Sequence, residues 1–295
     1  MDAIRPRARL LVTDLDNTLF DWFDIWHSSF STLLEEVARI SGLPVDVLEQ
    51  SARDVHQQHR TSEYSFLLNE MECLRALHGD EDVAAIYAEA IHSFRSARKR
   101  STHLYPTVKD TLRTVQSRGV QIVAYTDSLA FHSFQRIKAL GLDGVIAAMY
   151  SPPDHGVPDG LNLSEVRTLA PSEYDFDHTV RRELPLGAAK PDPTVLKEIC
   201  ADFGVSPEET VYVGDSPMKD VAMAQAVGAI DVLAEYGISV NRDGYQLLRR
   251  VSHWTKADIE RERQLAASQT VVPRYVLKQQ FSELLDIVDF NGAPT

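Results

Sequence analysis

Cysteine is nearly absent: Cys73 and Cys200 are the only two in 295 residues. Two thiols without C-x-x-C spacing cannot build a disulfide framework or a four-thiolate zinc site, and they fit a reducing compartment. Long apolar runs are missing too, none approaching the roughly 18 residues of a membrane span. Residues 1–10 hold three arginines and no apolar stretch of export-signal length, so the expected location is the cytoplasm. Neither G-x-x-x-x-G-K-[S/T] nor G-x-G-x-x-G occurs, which removes the standard phosphate loop and the dinucleotide fingerprint. Basic charge is short: 30 Lys and Arg stand against 43 Asp and Glu, a net charge of −13. A field of that sign repels a phosphate backbone, so nucleic acid is not the expected partner. A small phosphorylated ligand is not excluded, because one metal ion or lysine inverts the field inside a single cleft.

What is present is ordinary for a globular chain, and the length predicts about two domains. Three short apolar runs each end in aspartate: residues 10–13 before Asp14, residues 120–125 before Thr126-Asp127-Ser128, and residues 211–214 before Asp215. Such runs, bounded by polar turns, read as strands buried on both faces of a parallel sheet. Weaker strands are expected near 145–149, 230–233 and 274–277, with a terminal helix through Phe281, Leu284, Leu285 and Val288. Helical periodicity lies between the strands, in residues 108–115 before Gly119, 129–140, and 195–203 before Gly204. Alternating strands and helices predict an α/β fold with helices on both faces of a parallel sheet. Ligands then bind beyond the carboxyl ends of the strands, where all three aspartate clusters sit.

The stretch between the first two strands is too long for one crossover. Trp26, Phe30, Leu33 and Val37, then Tyr64, Leu67, Leu68 and Met71, then Val83 through Phe94, all follow helical spacing. A further helix is expected at 45–57. These residues read as an inserted helical module. Two excursions interrupt the remainder. Residues 151–187 carry five prolines and read as mostly irregular, whereas residues 239–267 look helical and charged.

Asp14 and Asp16 stand two residues apart at a strand end, so both can face one cleft. With Asp215 from a neighbouring strand, three acidic groups converge, which is costly unless a cation joins them. Oxygen donors without nearby histidine or cysteine favour a hard ion, Mg2+ above all. Lys190, stiffened by Pro191 and Pro193, offers the fixed positive charge that a phosphoryl group needs. Thr126 and Ser128 offer hydroxyl donors at the second strand's end. Each position alone is ordinary turn or cap chemistry; the set in one place is not.

Asp14-x-Asp16-x-Thr18, Thr126, Lys190 and Gly214-Asp215-x-x-x-x-Asp220, in that order, resemble the motifs of the haloacid dehalogenase superfamily, in its phosphatase branch with a C1-type helical cap. The resemblance implies a Rossmann-like doubly wound core, residues 1–20 and 104–295 with the two excursions, and a cap domain of residues 21–103. It also implies a Mg2+-dependent hydrolase of phosphate monoesters. Asp14 would attack phosphorus and form an aspartyl-phosphate, and Asp16 would act as general acid and then general base. Asp14, the Asp16 carbonyl and Asp215 would hold the metal, with Asp220 supporting from behind. Thr126 and the Asp127 amide would bind phosphate oxygens, and Lys190 would neutralise charge. Dehalogenase members lack the acid at the position of Asp16, so its presence points to phosphate esters. The expected partner is a small soluble phosphorylated metabolite, with no nucleic acid and no membrane; the sequence fixes no oligomeric state. A phosphomutase on the same fold, or a phosphate-sensing protein akin to receiver domains, stays open as an alternative.

Three other patterns have plainer readings. The aromatics of residues 21–26 are expected to pack the first cap helix. His56-x-x-His59 has ligand-like spacing but no third ligand, and reads as a solvated face. Asn162-Leu163-Ser164 matches a glycosylation acceptor that has no export signal to make it relevant.

Overall fold

The structure, a computed structural model, describes residues 5–158, 170–185, 187–255, 260 and 271–291. In chain order the elements are β1 (Arg7–Ala8), β2 (Leu10–Thr13), α1 (Trp22–Ser41), α2 (Val45–His59), α3 (Leu67–Glu70), α4 (Glu72–His78), α5 (Val83–Ile86), α6 (Ala88–Ser101), α7 (Val108–Ser117), β3 (Gln121–Tyr125), α8 (Ala130–Ala139), β4 (Ala148–Ser151) and β5 (Val180–Glu183). They continue with α9 (Pro193–Asp202), β6 (Thr210–Gly214), α10 (Ala222–Val227), β7 (Ile230–Ala234), α11 (Tyr245–Val251), β8 (Tyr275–Leu277), α12 (Leu284–Ile287) and β9 (Asp289–Phe290).

Seven strands form one all-parallel sheet in the order β5-β4-β3-β2-β6-β7-β8, and β1 pairs with β9 separately. Every residue of β2 is buried, and alternate side chains serve opposite faces. Leu11 packs with Val108, Leu112 and Leu284 from α7 and α12, while Leu10 and Val12 pack with Leu196, Ile199 and Met223 from α9 and α10. Helices therefore cover both faces, as the doubly wound α/β class requires. The central strand β2 pairs with β3 on one side (Thr13 beside Ala124) and β6 on the other (Thr13 beside Val213). From β2 the chain first winds outward through β3, β4 and β5, then returns and winds the other way. The carboxyl ends of β2, β3 and β6 thus flank the topological switch point, the place where such sheets bind ligands.

The helices of residues 22–101 enclose a second apolar cluster. Asp21 caps α1 by accepting from the Asp24 amide at 2.9 Å, and Gly42, with φ 70°, ends it. Phe23, Trp26, Phe30, Leu33 and Val37 bury the inward stripe of α1 against Leu48, Val55, Leu68 and Tyr87, so the 21–26 aromatics pack as the sequence predicts. The chain enters and leaves this module through adjacent segments: Phe20 bridges Leu104, and the Tyr105 amide donates to the Leu19 carbonyl at 2.9 Å.

Several local expectations change. The continuous spacing over Val83–Phe94 is divided between α5 and α6 at Tyr87, which is fully buried and whose hydroxyl meets His78 Nε2 at 2.9 Å. The 151–187 excursion contains the edge strand β5, whose sequence Val-Arg-Arg-Glu carries no apolar alternation because three of its four residues are exposed. Asn162 lies outside the described residues, as does most of 256–270. His56 is not on a solvated face: it is 1% exposed and its Nδ1–H donates to the Val251 carbonyl at 2.6 Å.

That contact belongs to a strap. After β7 the chain crosses to the helical module, where Tyr245, Leu248 and Val251 of α11 join its apolar cluster. Arg250 forks onto Glu49 at 2.6 and 2.8 Å, and Arg53 donates to the Arg250 carbonyl at 3.2 Å. No helix of the described residues is long and apolar enough to cross a membrane.

Two outcomes follow from this packing. Leu248→Ala removes a side chain that is 1% exposed and is expected to cost about 2–5 kcal/mol in denaturant unfolding. Burial lowers the His56 pKa to about 4, so folding excludes a proton that the unfolded chain binds below about 6.5. Stability from this group is complete above about pH 6.5 and falls by ~1.4 kcal/mol per pH unit down to about pH 4. Urea melts at pH 7.5 and 5.0 should show this acid loss, and His56→Asn, which keeps the donor, should shrink it by about 2 kcal/mol.

Candidate active site

The turn after β2 is built to reverse sharply. The Asp14 amide still donates to Val213 at 2.8 Å, and Thr13 Oγ1 donates to the Asp14 carbonyl at 2.7 Å. Asn17 then adopts φ 57°, and its side-chain oxygen accepts from the Phe23 amide at 3.0 Å, fixing where α1 begins. The loop after β7 braces this turn: Tyr236 donates to the Thr18 carbonyl at 2.7 Å, and a Cβ on Gly237 would sit 1.7 Å from the Asn17 carbonyl oxygen. Only glycine permits that approach.

The end of β6 has a similar constraint. A Cβ on Gly214 would lie 2.3 Å from the Asp220 carboxyl, so glycine lets Asp220 fold back over the strand. A single π-helical turn, Pro217–Val221, carries Asp220 inward, and the Ser216 amide donates to its Oδ2 at 3.0 Å. Lys190 arrives from the loop before α9. Its amide donates to Asp127 Oδ1 at 2.8 Å, and Asp192 caps α9 by accepting from Thr194 at 2.9 Å.

These turns bring the predicted residues together. Lys190 Nζ lies 2.7 Å from both Asp14 Oδ1 and Asp220 Oδ1, and 3.3 Å from the Tyr212 hydroxyl. Carboxylate oxygens of Asp14, Asp215 and Asp220 all lie within 4.8 Å of one another. Among the described residues, no hydrogen-bond donor or cation pairs with the Asp215 carboxylate. Burial pushes the Asp14 carboxyl up to about 7, with Asp220 and Asp16 adding to the rise and Lys190 opposing it. Burial, then Asp14 and Asp220, raise Asp215 well above the usual carboxylate range. Three carboxylates thus share one ammonium, a charge deficit that a divalent cation would cancel. The all-oxygen donor set fits a hard ion such as Mg2+.

Thr126 is buried at the end of β3, and its Oγ1 accepts from the Ser128 amide at 3.1 Å. The Asp127 carboxylate is occupied by the Lys190 amide and by Lys219 Nζ at 2.8 Å, leaving its backbone amide as the group open to a ligand role. Asp16 lies apart from the carboxylate trio. Its Oδ1 accepts from Arg136 Nη1 at 3.0 Å and its Oδ2 from the Ser128 hydroxyl. Burial raises its pKa, with Glu63 adding to the rise while Arg136 and Ser128 oppose it. Arg136, Glu63 and Tyr212 are site residues that the sequence reading did not single out. The one available signal was a pair, His132 and Arg136, one helical turn apart on the same face of α8.

Comparison with known proteins agrees with this architecture. The profile of the haloacid dehalogenase-like hydrolases matches residues 8–228. The chain is 22% identical over 237 residues to the glyceraldehyde 3-phosphate phosphatase of Methanopyrus kandleri, covering 78% of this chain and 84% of that one. It is 27% identical over 140 residues to the phosphoglycolate phosphatase of Haemophilus influenzae, a match spanning 48% of each chain. The 2-haloacid dehalogenase of Pseudomonas syringae shares the fold, with a TM-score of 0.55 over 95% of this chain and 97% of that one, at 19% identity. The profile match takes in β2, the inserted helices, Lys190 and the turn after β6: the chain belongs to the haloacid dehalogenase-like hydrolase family.

Proposed function

We propose that this hydrolase is a Mg2+-dependent phosphatase that cleaves monoesters of a small phosphorylated metabolite in the cytoplasm. The observation that carries the reading is the charge arrangement around Lys190, with Asp14 and Asp220 on the ammonium and Asp215 beside them without a hydrogen-bond partner among the described residues. An anionic phosphoryl group has no reason to enter such a cleft unless a cation accompanies it. The two phosphatases named above, whose names assign them phosphate esters, support the same substrate class.

Asp14, the Asp16 carbonyl and Asp215 would hold Mg2+, with Asp220 behind them, and the bound ion would supply charge neutralisation at the phosphoryl oxygens. An Asp14 carboxylate oxygen attacks phosphorus while the ester P–O bond breaks, and Asp16 delivers a proton to the departing oxygen. The product is an aspartyl-phosphate and a free alcohol. Asp16, now deprotonated, takes a proton from water as that water attacks the aspartyl-phosphate phosphorus. The Asp14–phosphate bond breaks, releasing inorganic phosphate and restoring Asp14. Thr126 and the Asp127 amide hold phosphoryl oxygens, and Lys190 keeps Asp14 directed at phosphorus. The raised pKa of Asp16 suits a group that must give up a proton before it accepts one. An alkyl halide needs no such proton, which separates this site from the dehalogenase whose fold it shares.

Multiple-turnover phosphate release from p-nitrophenyl phosphate with Mg2+ tests the reading. Asp14→Asn is expected to lower kcat by more than ~10³-fold, and activity retained in that variant would remove the nucleophile. Chelation should abolish turnover and Mg2+ restore it. Apart from activity, Mg2+ at 100 times its dissociation constant should stabilise the fold by about 2.7 kcal/mol, and Asp215→Asn should erase that gain.

A further inference from the structure

In the reaction proposed above Asp16 makes both proton transfers, so the direction of its carboxylate governs both. Each of its oxygens is held. Ser128 donates to Oδ2, and Arg136 Nη1 donates to Oδ1 at 3.0 Å. The Arg136 side chain is 2% exposed and lies over the Phe20 ring at 5.7 Å. Its second nitrogen, Nη2, donates to Glu63 Oε1. Glu63 does not come from the sheet domain: it stands between α2 and α3 in the inserted helical module.

Glu63 is itself fixed from three sides. Its Oε2 accepts from Trp22 Nε1 at 2.9 Å, and its Oε1 lies 3.7 Å from Arg98 Nη2 on α6. Its backbone carbonyl accepts from His132 Nε2 at 2.6 Å, and His132 Nδ1 accepts in turn from Arg98 Nη2 at 3.2 Å. Burial lowers the His132 pKa to about 4, so the ring is neutral and those donor and acceptor roles are settled. Burial alone would raise the Glu63 carboxyl, but the Arg136 and Arg98 guanidinium groups hold it below the usual range, so it stays ionised.

Asp16, Arg136, Glu63 and Arg98 therefore form a row of alternating charge that crosses from the catalytic turn into the cap. Such rows contribute little net stability, because desolvation offsets most of the attraction and apolar residues of similar volume would pack as well. What apolar residues could not do is fix a carboxylate's direction. We propose that Arg136 is the positioning residue for Asp16, and that Glu63 positions Arg136, so that seating the cap on the sheet domain orients the acid/base carboxylate. The inference rests on Asp16 being the proton donor.

The test compares kcat/KM, which reports the first irreversible step, for two aryl esters of similar size in Mg2+. Phenyl phosphate releases a leaving group that needs a proton, whereas dinitrophenyl phosphate releases one that does not. Arg136→Gln is expected to lower kcat/KM for phenyl phosphate ~10²-fold and for dinitrophenyl phosphate less than about 5-fold. Glu63→Gln should split the substrates in the same sense by about 10-fold, and Arg136→Lys should recover part of the loss. A merely structural role would depress both substrates equally, and that result in Arg136→Gln would overturn the proposal. Asp16→Asn serves as reference: without a split there, the role of Asp16 itself falls. With a split there and none in Arg136→Gln, only the positioning role falls. If Arg136→Gln fails to fold by circular dichroism, Glu63→Gln decides, and equal losses on both esters overturn the proposal.

Discussion

Three carboxylates and one ammonium are packed together at the carboxyl ends of β2 and β6, and much of the surrounding structure is arranged to keep them there. Lys190 holds Asp14 and Asp220 at 2.7 Å each, yet one positive charge cannot satisfy those two buried carboxylates and the half-buried Asp215 beside them. Desolvation and mutual repulsion raise Asp14 and Asp215, a strain that the proposed divalent cation would relieve. Gly214, the π-turn after it and the Asp127 clasp on the Lys190 amide all serve this closeness.

On the other side of the turn, Asp16 faces a different environment. Its partners are an arginine of α8, a serine after β3 and, through the arginine, a glutamate of the inserted helical module. The two aspartates are two residues apart in sequence, and the fold gives one a place in a carboxylate cluster around Lys190 and the other a place in an ion-paired row. The proposed division of labour between nucleophile and acid/base needs that separation, because identical surroundings would give the two carboxyls the same proton affinity. The strap adds a second tie between the parts. Residues 236 and 237 press on the turn after β2, and α11, a few residues later, buries Tyr245, Leu248 and Val251 in the helical module's apolar cluster.

The parts of this arrangement that were legible in the sequence share one property: the information is local. Strands β2, β3 and β6 are buried on nearly every residue, so each shows as an apolar run ending in a polar turn. Asp14, Thr126 and Asp215 are readable because they directly follow those runs. Lys190 is readable because two prolines flank it. The edge strand β5 is not, since an exposed Val-Arg-Arg-Glu has no face to bury. His56 resembled a solvated position because its hydrogen-bond partner, the Val251 carbonyl on α11, lies 195 residues further on. Arg136 and Glu63 were hidden for the same reason. A lone arginine on a helix and a lone glutamate in a turn look like solvated charges until tertiary packing sets one against the other.

The most direct test of the account is to locate a divalent cation in the protein by anomalous diffraction from crystals soaked in Mn2+, a stand-in for Mg2+ with the same oxygen preference. One strong peak is expected within coordination distance of the Asp14 and Asp215 carboxylates and the Asp16 carbonyl, and it should be lost in Asp215→Asn. A saturated crystal with no density among those carboxylates, or with manganese bound only elsewhere, would contradict it.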